Sequence, residues 1–148
     1  MPGTEVSRSA LERVQPQRSR LAAALRDYEL ATLNPEADWS AATYGPLVRL
    51  RAAFDQHVEF TEGADGLFDE MLHDPTAEVS SEIDHLHRDH LVIVAAMDRA
   101  AESLASPPSA DDHLRELMAS VARLVSAHRR RGAQLLYDVF SVDISAGD

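Results

Sequence analysis

A chain of 148 residues with no cysteine and a formal net charge of −11 has room for one hydrophobic core and few routes to function. Disulfides, thiolate catalysis, iron–sulfur clusters and zinc–thiolate sites are excluded, and the acidity argues against nucleic acid and anionic membrane as main partners. No 18-residue apolar stretch occurs and Met1 to Glu5 carries no apolar leader, so the expectation is a soluble, cytoplasmic protein with no membrane partner.

Almost no stretch reads as strand. Residues 1–16 form a polar N-terminal segment, closed by Pro16. The first helix is expected from about Gln17 to Leu33, with Leu21, Ala24, Leu25, Tyr28 and Ala31 inward, and Asn34-Pro35 ends it. After a connection over 34–45 that contains Trp39, a second helix runs from about Pro46, a residue suited to the first helical position, to Leu72. His73-Asp74-Pro75-Thr76 makes a turn, and Thr76 is placed to cap a third helix over 77–105. Ser106-Pro107-Pro108-Ser109 breaks the chain again, with Ser109 or Asp111 as cap for a fourth helix over about 110–140. Residues 141–148 read as an irregular tail. The fold class predicted is all-α: residues 17–140 as an antiparallel up-down-up-down four-helix bundle, between the N-terminal segment and the tail.

Three of these helices carry a histidine where the pattern calls for a core apolar residue. In the fourth, Leu114, Leu117, Met118, Val121, Leu124 and Val125 follow the spacing of a buried face, and His128 is next in the series. The stripe of Ile83, Leu86, Val94, Met97, Ala101 and Leu104 includes His90. That of Leu47, Leu50, Phe54, Ala64, Phe68 and Met71 includes His57. One core imidazole usually finds a hydrogen-bond partner; three on three helices point to a metal inside the bundle.

Neighbouring residues extend this reading. Glu62 lies five residues after His57, roughly 7.5 Å along the axis and about 140° around it, so long side chains from both can converge on one metal or on two neighbouring ones. It opens the run Glu62-Gly63-Ala64-Asp65-Gly66, whose glycines weaken the helix and permit a bulge or close approach. His87 and His90, three apart, share a face and can chelate together. Asp84 or Asp89 is suited to accept a hydrogen bond from a bound imidazole. His85 is expected at the surface, and His73 and His113 at helix ends. Asp138 lies about 15 Å beyond His128 along the helix and reads as a structural acid. Arg129-Arg130-Arg131 reads as a solvated flank, and Glu59 and Asp69 as surface partners of arginines.

Three stretches carry a family resemblance: His57 to Phe68, Leu86-His87-Arg88-Asp89-His90, and His128 to Ala133 with Tyr137, Asp138, Asp143 and Ile144. Over roughly residues 17 to 144 the chain resembles the hemerythrin-like (HHE-type) domains, and among them the short actinobacterial proteins. The resemblance implies a non-heme iron site, commonly di-iron, held by histidines and bridging carboxylates. The ligand set expected here is His57, Glu62, His90 and His128. The family pattern is incomplete. The first helix has no histidine, leaving Tyr28 and Glu29 as replacements. Thr61 stands four residues after His57 where the family has glutamate. The family pairs histidines four apart on the third helix, where here His87 and His90 stand three apart, and Ala133 takes the place of the fourth-helix aspartate.

Fewer ligands leave open positions, which favour activation of O2 or peroxide over storage. The expected function is an oxidase, oxygenase or peroxide-consuming activity, with a small-molecule substrate as a further partner. The alternatives are an O2, NO or iron carrier or sensor without turnover, and a metal-free structural bundle whose histidines are hydrogen-bonded in the core.

Overall fold

The computed structural model describes residues 2–33, 39–106 and 111–140, and the side chains of 12–33, 39–106 and 112–140. Helices follow one another along the chain: α1 (Pro2–Thr32), α2 (Trp39–Glu62), the short α3 (Leu67–Met71), α4 (Ala77–Ala105) and α5 (Asp111–Phe140). Among the described residues there is no strand, and no helix is long and apolar enough to cross a membrane. The four long helices close into a ring of neighbours, α1 against α2, α2 against α4, α4 against α5, and α5 against α1, with α3 packed on α2. The result is an all-helical bundle.

Three boundaries differ from the sequence expectation. First, α1 runs straight through Pro16 instead of beginning after it. An interior proline costs about 3 kcal/mol, through a lost backbone bond and a clash with the preceding turn. Packing offsets this. Val14 is buried against Leu135 and Leu136 of α5, and Gln17 and Arg18 are buried in the next turn. Fully burying one such apolar side chain contributes about 1.5–3 kcal/mol, and Leu21, Leu25 and Tyr28 continue the same face.

Second, α2 begins at Trp39, so the latter part of the expected 34–45 connection is helical and Pro46 lies inside the helix. Trp39 is only 5% exposed, and its indole N–H donates to the Thr32 carbonyl at 2.8 Å. The Arg115 guanidinium covers the ring, 4.4 Å from its centroid. The tryptophan therefore ties the start of α2 to the end of α1.

Third, the expected helix over 46–72 breaks after Glu62. Asp65 adopts a left-handed φ of 56°, and the Gly66 N–H donates to the Gly63 carbonyl at 2.9 Å. A Cβ at Gly63 would stand 2.5 Å from the Glu59 carbonyl oxygen, so only glycine fits. Beyond the break, α3 turns Leu67, Phe68 and Met71 inward. Ala64, expected on the buried face, is exposed in the turn. Asp69, expected to pair with an arginine, instead accepts from the Asp65 N–H at 3.1 Å.

The other elements follow the expectation closely. α4 spans 77–105, and the Thr76 hydroxyl accepts from the Val79 N–H at 3.1 Å. Asp111 opens α5, whereas Ser109 and the tail 141–148 lie outside the described residues. The buried side chains form two clusters. One holds Leu25, Tyr28, Leu50, Phe54, Met97 and Val121 with their neighbours; the other holds Val14, Phe68, Met71, Ile83, Leu86 and Leu135 with theirs. The three core histidines lie between them: Phe54 of the first cluster contacts all three rings, and Phe68 of the second stacks on His90.

Candidate metal centre

Each of three helices sends one imidazole to the same point. His57 comes from α2, His90 from α4 and His128 from α5. Their Nε2 atoms stand 3.0 Å (His57 to His128), 3.1 Å (His90 to His128) and 3.3 Å (His57 to His90) apart. Imidazole nitrogens bonded to one ion at roughly 2.0–2.1 Å also sit about 3 Å apart. The spacing therefore fits a shared cation.

Behind each ring stands an oxygen. His57 Nδ1–H donates to Gln17 Oε1 at 3.3 Å, His90 Nδ1–H to Glu62 Oε1 at 2.7 Å, and His128 Nδ1–H to Asp89 Oδ2 at 3.1 Å. A neutral imidazole carries one ring proton, and these acceptors hold it on Nδ1. All three Nε2 atoms then present lone pairs to one another, with no N–H between them. Lone pairs this close repel, whereas a cation at their meeting point turns the repulsion into bonding. This is the arrangement in which outer acceptors orient histidine ligands and raise their basicity.

The surroundings favour the neutral rings. Burial, with smaller contributions from His128, His90, Arg18 and Arg129, pushes His57 well below the ordinary histidine range. Burial also lowers His90, against the upward pull of Glu62, and lowers His128 to about 4 despite its bond to Asp89. For Asp89, burial works against the charge, but hydrogen bonds from His128 and Arg131 prevail and hold its pKa below the usual value. Neutral, desolvated imidazoles are the form that binds a transition metal.

Compared with protein-family models, curated proteins and solved structures, the chain matches none. The site is therefore read from its own geometry.

Of the four expected ligands, the structure brings His57, His90 and His128 together and sets Glu62 apart. Glu62 stands on the far side of the His90 ring, where its Oε1 also lies 2.5 Å from His87 Nδ1. The cause is the helix break at Gly63, which leaves Glu62 as the last residue of α2 and lets it turn toward α4. Tyr28 does not join the site. It is fully buried, and its hydroxyl donates to the Met118 carbonyl at 2.6 Å. Asp138 is exposed and accepts from Gln134 at 2.9 Å. Glu29 has no place in either metal-ligating group among the described residues. His73 and His113 are exposed, and His85 is half-exposed, 3.6 Å from Asp89.

Two contributors were not legible as such. Gln17 belongs to a turn that the sequence reading placed at the start of a helix, and nothing in its local pattern marks an acceptor. Arg131 was expected in a solvated flank, yet its Nη1 donates to Asp89 Oδ2 at 2.8 Å and its Nε lies 3.4 Å from Glu82. The signal available was its spacing: three residues beyond His128, it shares that residue's side of the helix.

A small cavity of about 30 Å³ adjoins His57 and His128. Apolar side chains such as Val14, Phe68, Met71 and Leu135 form most of its wall, and Gln17 and Arg18 also line it. Phe54 contacts all three imidazoles, ring centroids 5.6–5.8 Å apart. The nitrogens are thus packed in an apolar setting with room beside them for a molecule of very few atoms.

Proposed function

We propose that this chain is a non-heme iron protein of hemerythrin-like type, an up-down-up-down antiparallel bundle that reacts with O2 or peroxide. The observation that carries the proposal is the convergence of three Nε2 atoms, each ring having an oxygen at its Nδ1. Imidazole donors without sulfur suit iron, copper, nickel or zinc, and the family resemblance of the three histidine stretches favours iron. A redox ion held by His57, His90 and His128 would supply a cationic point for a small oxygen ligand and would relay electrons to it from peroxide or an external reductant.

One inner ion is favoured over the carboxylate-bridged pair that the family resemblance implies. Both nearby carboxylates, Glu62 and Asp89, are engaged on the Nδ1 side of the rings, away from the point where Nε2 atoms meet. Three neutral ligands leave the ion its full charge and leave other coordination positions for exogenous ligands. The protein's own residues then do defined work. Gln17, Glu62 and Asp89 hold the three Nδ1 protons, Phe54 shields one side of the rings from water, and the apolar cavity admits only small molecules.

The test is metal content and turnover. Iron-reconstituted protein should hold iron and consume peroxide, or O2 with a reductant, catalytically. His57→Ala, His90→Ala and His128→Ala should each lose the iron held at the Nε2 cluster, and the turnover with it, while far-ultraviolet helicity survives. Full metal retention in any of the three removes that residue from the ligand set. Reversible O2 uptake without consumption would return the carrier reading to first place.

A further inference from the structure

The inner cluster uses one nitrogen of His90, and the other nitrogen belongs to a second group. His90 Nδ1 and His87 Nδ1 both face Glu62 Oε1, at 2.7 and 2.5 Å. The three ligating atoms lie within 4.8 Å of one another. We infer that Glu62, His87 and His90 form a second, outer site for a divalent transition cation, joined to the inner one through the His90 ring.

Several features favour a binding site over a simple hydrogen-bond relay. Two histidines and one carboxylate make the donor set of hydrolytic zinc sites and of facial non-heme iron sites. His87 and His90 are three residues apart on α4 and so project from one face, while Glu62 is brought to them by the break at Gly63. Orienting His90 requires only one acceptor; it does not require a second imidazole on the same oxygen. Phe68 contacts both rings, at 5.2 Å from His87 and stacked at 6.0 Å on His90, so both are packed in place. The side chains of His87 and Glu62 are 46% and 27% exposed, which gives a cation entry and gives water the remaining positions.

The protons balance. On binding, the His87 proton moves to its own Nε2, whereas His90 has its Nε2 committed inside and releases its Nδ1 proton to solvent. The ring becomes an imidazolate bridge, and its charge together with that of Glu62 matches a divalent cation. Two ions on opposite nitrogens of one ring are separated by the width of an imidazole, too far to share a single oxygen bridge.

This inference rests on the inner-site reading for its first ion, and the experiment separates the two. Full-length protein, His87→Ala and His57→Ala are dialysed against Zn²⁺ and analysed for metal per chain, with far-ultraviolet circular dichroism to confirm folding. The expected result is two Zn²⁺ in the parent and one in each variant. Outer-site affinity in His87→Ala should fall by more than the roughly 10–100-fold that loss of an outer hydrogen bond brings. One ion in the parent, lost in His57→Ala and kept in His87→Ala, overturns the outer site and leaves the inner reading standing. One ion lost in His87→Ala but kept in His57→Ala overturns the inner reading and the bridge. Two ions retained in His87→Ala, or none in the parent, also overturns the proposal. With Cu²⁺ in both sites, exchange through the shared ring should suppress the paramagnetic resonance signal of the parent, and His87→Ala should restore it. Two independent copper signals in the parent would refute the bridge.

Discussion

An imidazole has two nitrogens, and at His57, His90 and His128 both are engaged: Nε2 toward its two fellows, Nδ1 toward an oxygen. The outer oxygens should therefore be felt at the metal. Asp89 accepts from His128 and Arg131, so Asp89→Ala leaves the His128 ring free to turn and change tautomer. Metal affinity should drop about 10–100-fold, measured by competition with a chelating dye. An unchanged affinity would show that the acceptor has no share in the site. Glu62→Gln keeps an acceptor oxygen but removes a charge, so it should weaken metal binding measurably. Glu59→Gln, on an exposed position only three residues away, should leave it as it is. Equal behaviour of the two variants would contradict the placement of Glu62.

At the scale of the element, the break between α2 and α3 sets the position of Glu62. Gly63 has no room for a side chain, because a Cβ would press on the Glu59 carbonyl at 2.5 Å. Gly63→Ala should destabilise the fold by about 1–3 kcal/mol, the usual range for forced overpacking, and should displace Glu62 from His90. Urea unfolding measures the first effect and metal competition the second; a variant with parental values in both would show that the turn adapts freely. Thr76→Ala is a milder change, expected to cost about 1 kcal/mol through loss of the α4 cap, with metal affinity retained.

For the whole molecule, the buried histidines should make stability depend on pH, and on metal if the cluster binds one. In the metal-free fold their pKa values lie below the unfolded value of about 6.5, with His128 near 4. Between those limits the unfolded chain binds more protons than the folded one, so stability falls as pH drops through 6.5. The loss attributable to His128 is complete near pH 4 and amounts to an order of 3 kcal/mol at about 1.4 kcal/mol per unit. Urea midpoints of metal-free protein at pH 7.5 and 5 should differ accordingly, and identical midpoints would argue against buried neutral rings. Saturating metal should raise the melting temperature at pH 7.5, since a ligand bound only by the native state adds about 2.7 kcal/mol at a hundredfold excess over Kd. In His57→Ala, which lacks a ligand of the inner cluster, that rise should be reduced.

Local periodicity was enough to read an all-helical chain, the span of α4, its Thr76 cap and the inward positions of His57, His90 and His128. Those features depend on which face of one helix meets the core, and hydrophobic spacing encodes that directly. The course of α1 through Pro16 and the start of α2 at Trp39 were decided by packing. Val14 and Trp39 are buried against other helices, and that burial offsets what the backbone loses locally. The roles of Gln17, Glu62 and Arg131, and the choice of His128 as the imidazole that Asp89 accepts from, were decided only in three dimensions. Each bonds a histidine, or a histidine's acceptor, on another helix, and sequence separations of 28 to 42 residues carry no pattern that marks such a pair. Helical spacing can turn three imidazoles inward, but the meeting of their nitrogens within 3.0–3.3 Å depends on how three helices pack.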